Sequence, residues 1–98
     1  MFTDQSPAAA AVPVLSVRFM VEADASPGLL PRLLQPFAKR DVIPDRMWSH
    51  RAGAGMHAEI AVHALAADLA RMIEGNLIQV VGVYSVTPVL GQAALLAA

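Results

Sequence analysis

The chain has 98 residues, of which 56% are hydrophobic, which is enough for one compact domain and too few for two. Seven Lys and Arg residues nearly balance eight Asp and Glu residues, so the net charge of -1 predicts neither a nucleic-acid partner nor an anionic membrane surface. The absence of cysteine excludes disulfides and thiolate metal sites and favours a reducing compartment, the cytoplasm.

No apolar run approaches the roughly 20 residues of a membrane span, so we expect a soluble protein. The hydrophobic fraction is high for so small a domain, which indicates that another subunit covers part of the surface. We therefore expect a homodimer or a larger oligomer.

The chain begins with an arm and a strand. Residues 1–13 contain few large apolar side chains, and we expect them to form a flexible arm. From residue 14 to 22, apolar and polar side chains alternate with the period of a half-buried strand. The apolar positions of this strand are Leu15, Val17, Phe19 and Val21.

The loop after the first strand has the composition of a strand-to-helix turn. Asp24 or Ser26 can accept a hydrogen bond from a free amide, Pro27 presets φ, and Gly28 allows close approach to the backbone. Free amides at a helix N-terminus can hold a carboxylate, so this loop is a candidate anion site. The same composition is common in ordinary turns, and both interpretations stay open at this point.

A helix should follow to about Arg40. Pro36 lies inside it, so we expect a kink near Gln35. Residues 41–50 then predict a second strand, and Pro44, which cannot donate to a ladder, places that strand at an edge of the sheet.

The second half of the chain repeats this alternation. Glycines in residues 51–55 predict a hairpin, and residues 56–64 alternate as a third strand. A helical stripe from residue 66 to 74 is followed by Gly75 and Asn76 as its expected C-cap. Residues 78–86 predict a fourth strand, with Gly82 as a candidate bulge.

Pro88 should end the fourth strand and with it the domain, which we place at residues 14–88. The apolar tail, residues 89–98, is compatible with a short helix at a subunit boundary. The order β-α-β-β-α-β predicts an α+β, ferredoxin-like fold, with a four-stranded antiparallel sheet and both helices on one face.

The polar residues give little sign of catalysis or of metal binding. His57 and His63 would be separated by roughly 20 Å along a strand, too far to share a metal with Glu59. They fit a polar sheet face, on which Arg18 can pair with Glu59. Trp48 on the edge strand is the one large aromatic that we expect to be exposed or at an interface, and it fits a packing anchor better than a ligand contact. Without a nucleophile-base pair, a phosphate loop or stacking aromatics, we expect no enzyme activity, no cofactor and no metal.

Three segments resemble the ACT domain family. Asp-Ala-Ser-Pro-Gly-Leu-Leu at residues 24–30 is similar to the family signature that opens helix one after strand one. Residues 42–48 are similar to its strand-two pattern, and residues 80–86 to its last strand. The resemblance covers residues 14–86, and among short members the chain looks most like the regulatory small subunits of acetolactate synthase.

The resemblance implies a dimer that binds an amino acid between subunits and regulates a separate enzyme, and we expect a branched-chain amino acid. The ligand would meet the strand-one loop of one subunit and strand two of its neighbour. Carried over to this sequence, the ligand-binding residues are Asp24, Ser26, Pro27, Gly28 and Leu29 on the loop, and Ile43, Asp45 and Met47 on the strand.

Three residues depart from the family pattern. Val42 stands where an Asn is frequent, which removes a polar contact to an effector, and Pro36 and Pro44 are unusual at their positions. The alternative function is a ligand-free structural subunit that docks on an enzyme, and a small enzyme is a more distant third.

Overall fold

A computed structural model describes residues 14–91. The elements follow the predicted order: β1 (Val14–Asp24), α1 (Leu29–Lys39), β2 (Arg46–Ala52), β3 (Gly55–Ala66), α2 (Ala67–Ile78) and β4 (Val83–Leu90). The ferredoxin-like fold is thereby confirmed. The predicted arm, residues 1–13, and residues 92–98 of the predicted tail lie outside the described residues.

The sheet is antiparallel and has the strand order β2-β3-β1-β4. β1 pairs with β3 from Val14 opposite Ala66 to Asp24 opposite Gly55. Among residues 14–91, β2 pairs only with β3, which confirms that the second strand is an edge strand. β4 forms the other edge, so β1 and β3 are the two central strands.

Alternation along the central strands divides the sheet into a buried face and an open face. Val17, Phe19 and Val21 of β1 are at most 2% exposed, because the two helices cover this face. The Phe19 ring meets the Phe37 ring of α1 edge to face, with centroids 5.7 Å apart. The rest of the core comprises Ala23, Leu29, Leu33, Ala58, Ile60, Val62, Leu65, Ala70, Ile73 and Leu77.

Helix α1 continues through Pro36, which is buried, and ends in a Schellman motif. The amide of Val42 donates to the Phe37 carbonyl at 2.9 Å, and that of Asp41 donates to the Ala38 carbonyl at 3.2 Å. Asp41 has a φ of 56°, a conformation more usual for glycine or asparagine. We expected the second strand to begin at residue 41, but residues 41 and 42 belong to this turn. The strand begins at Arg46.

The expected C-cap of the second helix was wrong. Gly75 and Asn76 lie inside α2, which continues to Ile78, and the Gln79 amide closes the helix by donating to the Asn76 carbonyl. Leu77 is fully buried and extends the helical stripe by one more turn. Burial of a leucine offsets the cost of about 1 kcal/mol of a glycine in a helix.

The bounds of the last strand were also wrong. β4 begins at Val83, and Gly82 lies before it with a φ of 95°, in a turn rather than at a bulge. Pro88 does not end the strand, because it lies within β4 opposite Phe19. An edge strand tolerates proline where the missing amide would face away from its partner.

We expect Phe19→Ala to lower the free energy of unfolding by about 3–5 kcal/mol, since it empties a fully buried position at the centre of the core. Urea denaturation measures this change. Met20→Ala is the matched control, because Met20 is the next residue along β1 and lies on the open face. Equal losses from the two substitutions would contradict the assignment of the buried face.

Candidate functional site

The loop between β1 and α1, residues 24–28, is held from two sides. The amide of Asp24 donates to the Gly82 carbonyl in the loop before β4, at 2.8 Å. The amide of Ala25 donates to the Ala54 carbonyl in the β2–β3 hairpin, also at 2.8 Å. Three connections therefore meet at this end of the sheet, and hydrogen bonds to its neighbours position the loop backbone.

Side chains of the loop do not cap α1, contrary to our expectation for Asp24 and Ser26. The N-cap is Gly28, and it makes no side-chain cap hydrogen bond. Asp24 is still part of β1, and its carboxylate accepts a hydrogen bond from the Tyr84 hydroxyl. The Ser26 hydroxyl accepts one from the Arg32 guanidinium at 3.3 Å.

Backbone amides provide the polar surface of the loop. The Leu29 amide is already used, since it donates to the Ser26 carbonyl at 3.1 Å, and the Leu29 side chain is fully buried. The amides of Ser26 and Gly28 donate to no other group within residues 14–91. Pro27 between them has no amide to offer. Two unpaired donors at the start of a helix suit a carboxylate.

The strand-side candidates lie around the start of β2. Ile43 is 85% exposed, whereas Met47 is half-buried and packs against the core. The carboxylate of Asp45 accepts the His63 amide at 2.6 Å, and the Asp45 amide donates to the Ala61 carbonyl at 2.8 Å. Asp45 thus attaches the beginning of β2 to β3.

A single chain does not bring the loop and the strand-side candidates together. Asp24 lies opposite Gly55 of β3, whereas Arg46 lies opposite Ala61, six residues further along the same strand. Six residues of a strand span about 20 Å. One site that uses both sets therefore needs a second copy of the chain.

The open face of the sheet carries a network of charged and aromatic side chains. Arg18 pairs with Glu59 at 3.5 Å, as the alternation predicts. His57 bonds to Glu59 at 2.9 Å and also to Glu22. Hydrogen bonds to these two carboxylates raise the pKa of His57 above its ordinary value, and Glu59 has the larger effect. The ring of Trp48 lies edge to face with that of His57, with centroids 5.6 Å apart.

Sequence reasoning missed Tyr84 and the arrangement of the polar face. Alternation indicated which residues point away from the core, but the pairing of Arg46 with Ala61, and of Ala61 with Arg18, follows only from the register. Within residues 14–91 no cluster of three or more His, Asp or Glu residues is arranged to hold a metal ion. None of the helices in that range is both long and apolar enough to cross a membrane.

Comparisons with known proteins agree with this architecture. A family model described as an ACT-like domain matches residues 11–94. Among solved structures, the ACT domain from the GTP pyrophosphokinase of Chlorobium tepidum is similar, with a TM-score of 0.66 and 11% identity over 79% of this chain and 100% of that chain. At this identity the likeness shows the fold. No curated protein matches the chain.

The raised pKa of His57 makes stability depend on pH. The contribution of protonated His57 to the free energy of unfolding is complete at pH values below its ordinary pKa of about 6.5. This contribution is lost as the pH rises through the higher pKa of the folded state. We expect His57→Gln to cost about 1 kcal/mol at about pH 6 and less at about pH 9, in urea titrations. His63→Gln, an exposed position on the same strand, is the control. A loss independent of pH would contradict the assignment.

Proposed function

Because this chain belongs to the ACT-like domain family, whose domains are generally regulatory and bind ligands, we propose that it binds a small amino acid between two copies of itself. The observation that carries this proposal is the loop after β1, where the amides of Ser26 and Gly28 have no acceptor within residues 14–91. The loop is held on both sides, so ligand binding needs little reordering of the backbone.

The loop can receive the carboxylate of the amino acid. Two amide donors and the N-terminal end of the α1 dipole favour a negative charge there. Asp24 provides a carboxylate nearby, which suits the ammonium group of the ligand even though one oxygen is bound by Tyr84. These two opposite charges match the two ends of a free amino acid.

The side chain of the ligand would meet the second subunit. Ile43 precedes β2 and is 85% exposed, so a neighbouring copy can present it as an apolar surface. Met47 and Asp45 are near Ile43 in the sequence, but both already have partners. Met47 packs against the core, and the Asp45 carboxylate accepts the His63 amide. An apolar contact of this kind favours a branched-chain amino acid, in line with the resemblance to acetolactate synthase small subunits.

Regulation would follow from coupling between the ligand and a partner enzyme. An effector that joins the loop of one copy to β2 of the other stabilises one arrangement of the dimer. It can shift the equilibrium of a partner only by the difference in its affinity for two states. Acetolactate synthase is the first catalytic partner to test.

A ligand-free docking subunit is the second candidate. Large apolar side chains stand exposed on the described surface, with Val81 at 77% and Tyr84 at 63%. Such surfaces commonly bind other proteins. This function needs no free amides in the loop, which separates it from the first.

We expect valine, leucine or isoleucine to raise the midpoint of thermal unfolding in a screen of the twenty amino acids. A ligand at about 100 times its dissociation constant adds about 2.7 kcal/mol, and each kcal/mol raises the midpoint of a domain this size by about 4–8 °C. Gly28→Asp should abolish the shift, because its carboxylate occupies the free amides in place of that of the ligand. Any side chain at residue 28 also displaces the Arg32 guanidinium, and the alanine variant controls for this displacement. Gly28→Ala, which adds a side chain without charge, is the control.

Sedimentation of the same variants tests the dimer. If Gly28→Asp removes the ligand shift and the protein stays dimeric, the amino-acid site is supported. The proposal fails if none of the twenty amino acids changes the midpoint, and co-purification with an enzyme in the absence of ligand would then support the docking subunit.

A further inference from the structure

The open face of the sheet contains a groove of about 640 Å³, far from the loop after β1. Residues of all four strands line it, among them Arg18, Arg46, Trp48, Glu59, Ala61 and His63. We propose that this groove is a second binding site, specific for a small aromatic carboxylate. The carboxylate would lie between the two arginines and the ring against Trp48.

The floor of the groove is the small side chain of Ala61. Arg46 of β2 and Arg18 of β1 lie directly opposite Ala61 on its two sides, so the three residues form one row across the sheet. Neighbouring strands are about 4.8 Å apart, which places the Cα atoms of the two arginines about 10 Å apart. The methyl group between them leaves room for a ligand that both guanidinium groups can reach.

The charges in this row are unequally compensated. Arg18 is paired with Glu59 at 3.5 Å, and the other carboxylate oxygen of Glu59 bonds to His57 at 2.9 Å. Arg46 has no carboxylate within 4 Å among residues 14–91. Its neighbour Asp45 is bound to the His63 amide instead. A guanidinium without a counter-charge, open to a groove, favours bidentate binding of a carboxylate.

Trp48 forms an aromatic wall beside this row. Its ring is stacked on that of His50 at 6.1 Å with an angle of 13° between the planes, which covers one face of the indole. Arg46 lies on the other side of Trp48 along β2, and Trp48 lines the groove together with it. The side chain is 54% exposed, and a planar ring can stack there.

The groove is separate from the loop half of the amino-acid site in the same copy, and it lies on the face of the sheet opposite to Met47, which packs against the core. The row at Ala61 is six residues along β3 from Gly55, which pairs with Asp24 at the loop, and this corresponds to about 20 Å. A ligand in the groove therefore does not reach the loop amides of the same copy. The volume lies within the range of about 300–1,000 Å³ typical of small-molecule sites.

Nuclear magnetic resonance of the full chain tests the proposal with benzoate as the probe. Two signals serve as probes. Trp48 is the only tryptophan, so the indole N–H signal is its own, and the backbone amide of Ala61 reports on the floor of the groove. We expect benzoate to shift both signals with saturation. Acetate, which lacks the ring, and benzamide, which lacks the charge, should each bind about tenfold more weakly or worse.

Two variants and a control localise the binding. Arg46→Gln should weaken benzoate binding about tenfold, as expected for the loss of a charged hydrogen-bond donor. Ala61→Leu fills the floor of the groove and should abolish binding, and the remaining amide signals report whether the fold is intact. Arg71→Gln removes an exposed arginine on α2, where it pairs with Asp68, and should change nothing.

Several results would overturn the proposal. It fails if benzoate shifts neither signal, if acetate or inorganic phosphate binds as tightly as benzoate, or if binding survives Ala61→Leu. It also fails if dilution of the protein alone shifts the Trp48 and Ala61 signals, because a second copy would then occupy the groove. Gly28→Asp should leave benzoate binding unchanged, so failure here is distinguishable from failure of the amino-acid site.

Discussion

The antiparallel pairing of β1 with β3 is the constraint on which the rest of the structure depends. Each residue of these strands is assigned to a face by its partner, so Phe19 and Ile60 share the helix-covered side while Arg18 and Ala61 share the open side. A shift of one residue would exchange the two faces completely. Burial of the apolar set therefore specifies the register, and the register in turn assembles the charged and aromatic face.

The two ends of this pairing have different chemistry. At the Asp24 end, three connections converge and are joined through backbone hydrogen bonds, and the amides of Ser26 and Gly28 have no acceptor within residues 14–91. At the Ala61 end, side chains dominate, and the surface is shaped by two arginines around a small residue. Within one copy, the sheet thus separates the backbone donors of the loop from the side chains of the groove by roughly 20 Å.

The order of elements was predictable because alternation and helical stripes are strong signals in β1, β3 and both helices. The boundaries were less predictable, because tertiary packing overrides local preference there. Burial of Leu77 extends α2 beyond Gly75. Asp41 adopts a left-handed conformation that composition alone would assign to a glycine. The turn after β1 could be located from its residues, although Asp24 and Ser26 do not cap α1, and its role as a binding site stays a prediction. The groove could not be predicted, since its residues come from all four strands and only the pairing register brings them together.

The two edges of the sheet differ in what they offer another chain. Pro88 interrupts the donor pattern of β4, whereas β2 runs from Arg46 to Ala52 without proline and leaves one side of its backbone unpaired within residues 14–91. A continuous sheet shared between two molecules would consequently form through β2. Within residues 14–91 the two edges are therefore unequal as templates for strand addition, since the β4 edge lacks the amide donor of residue 88 and the β2 edge lacks none.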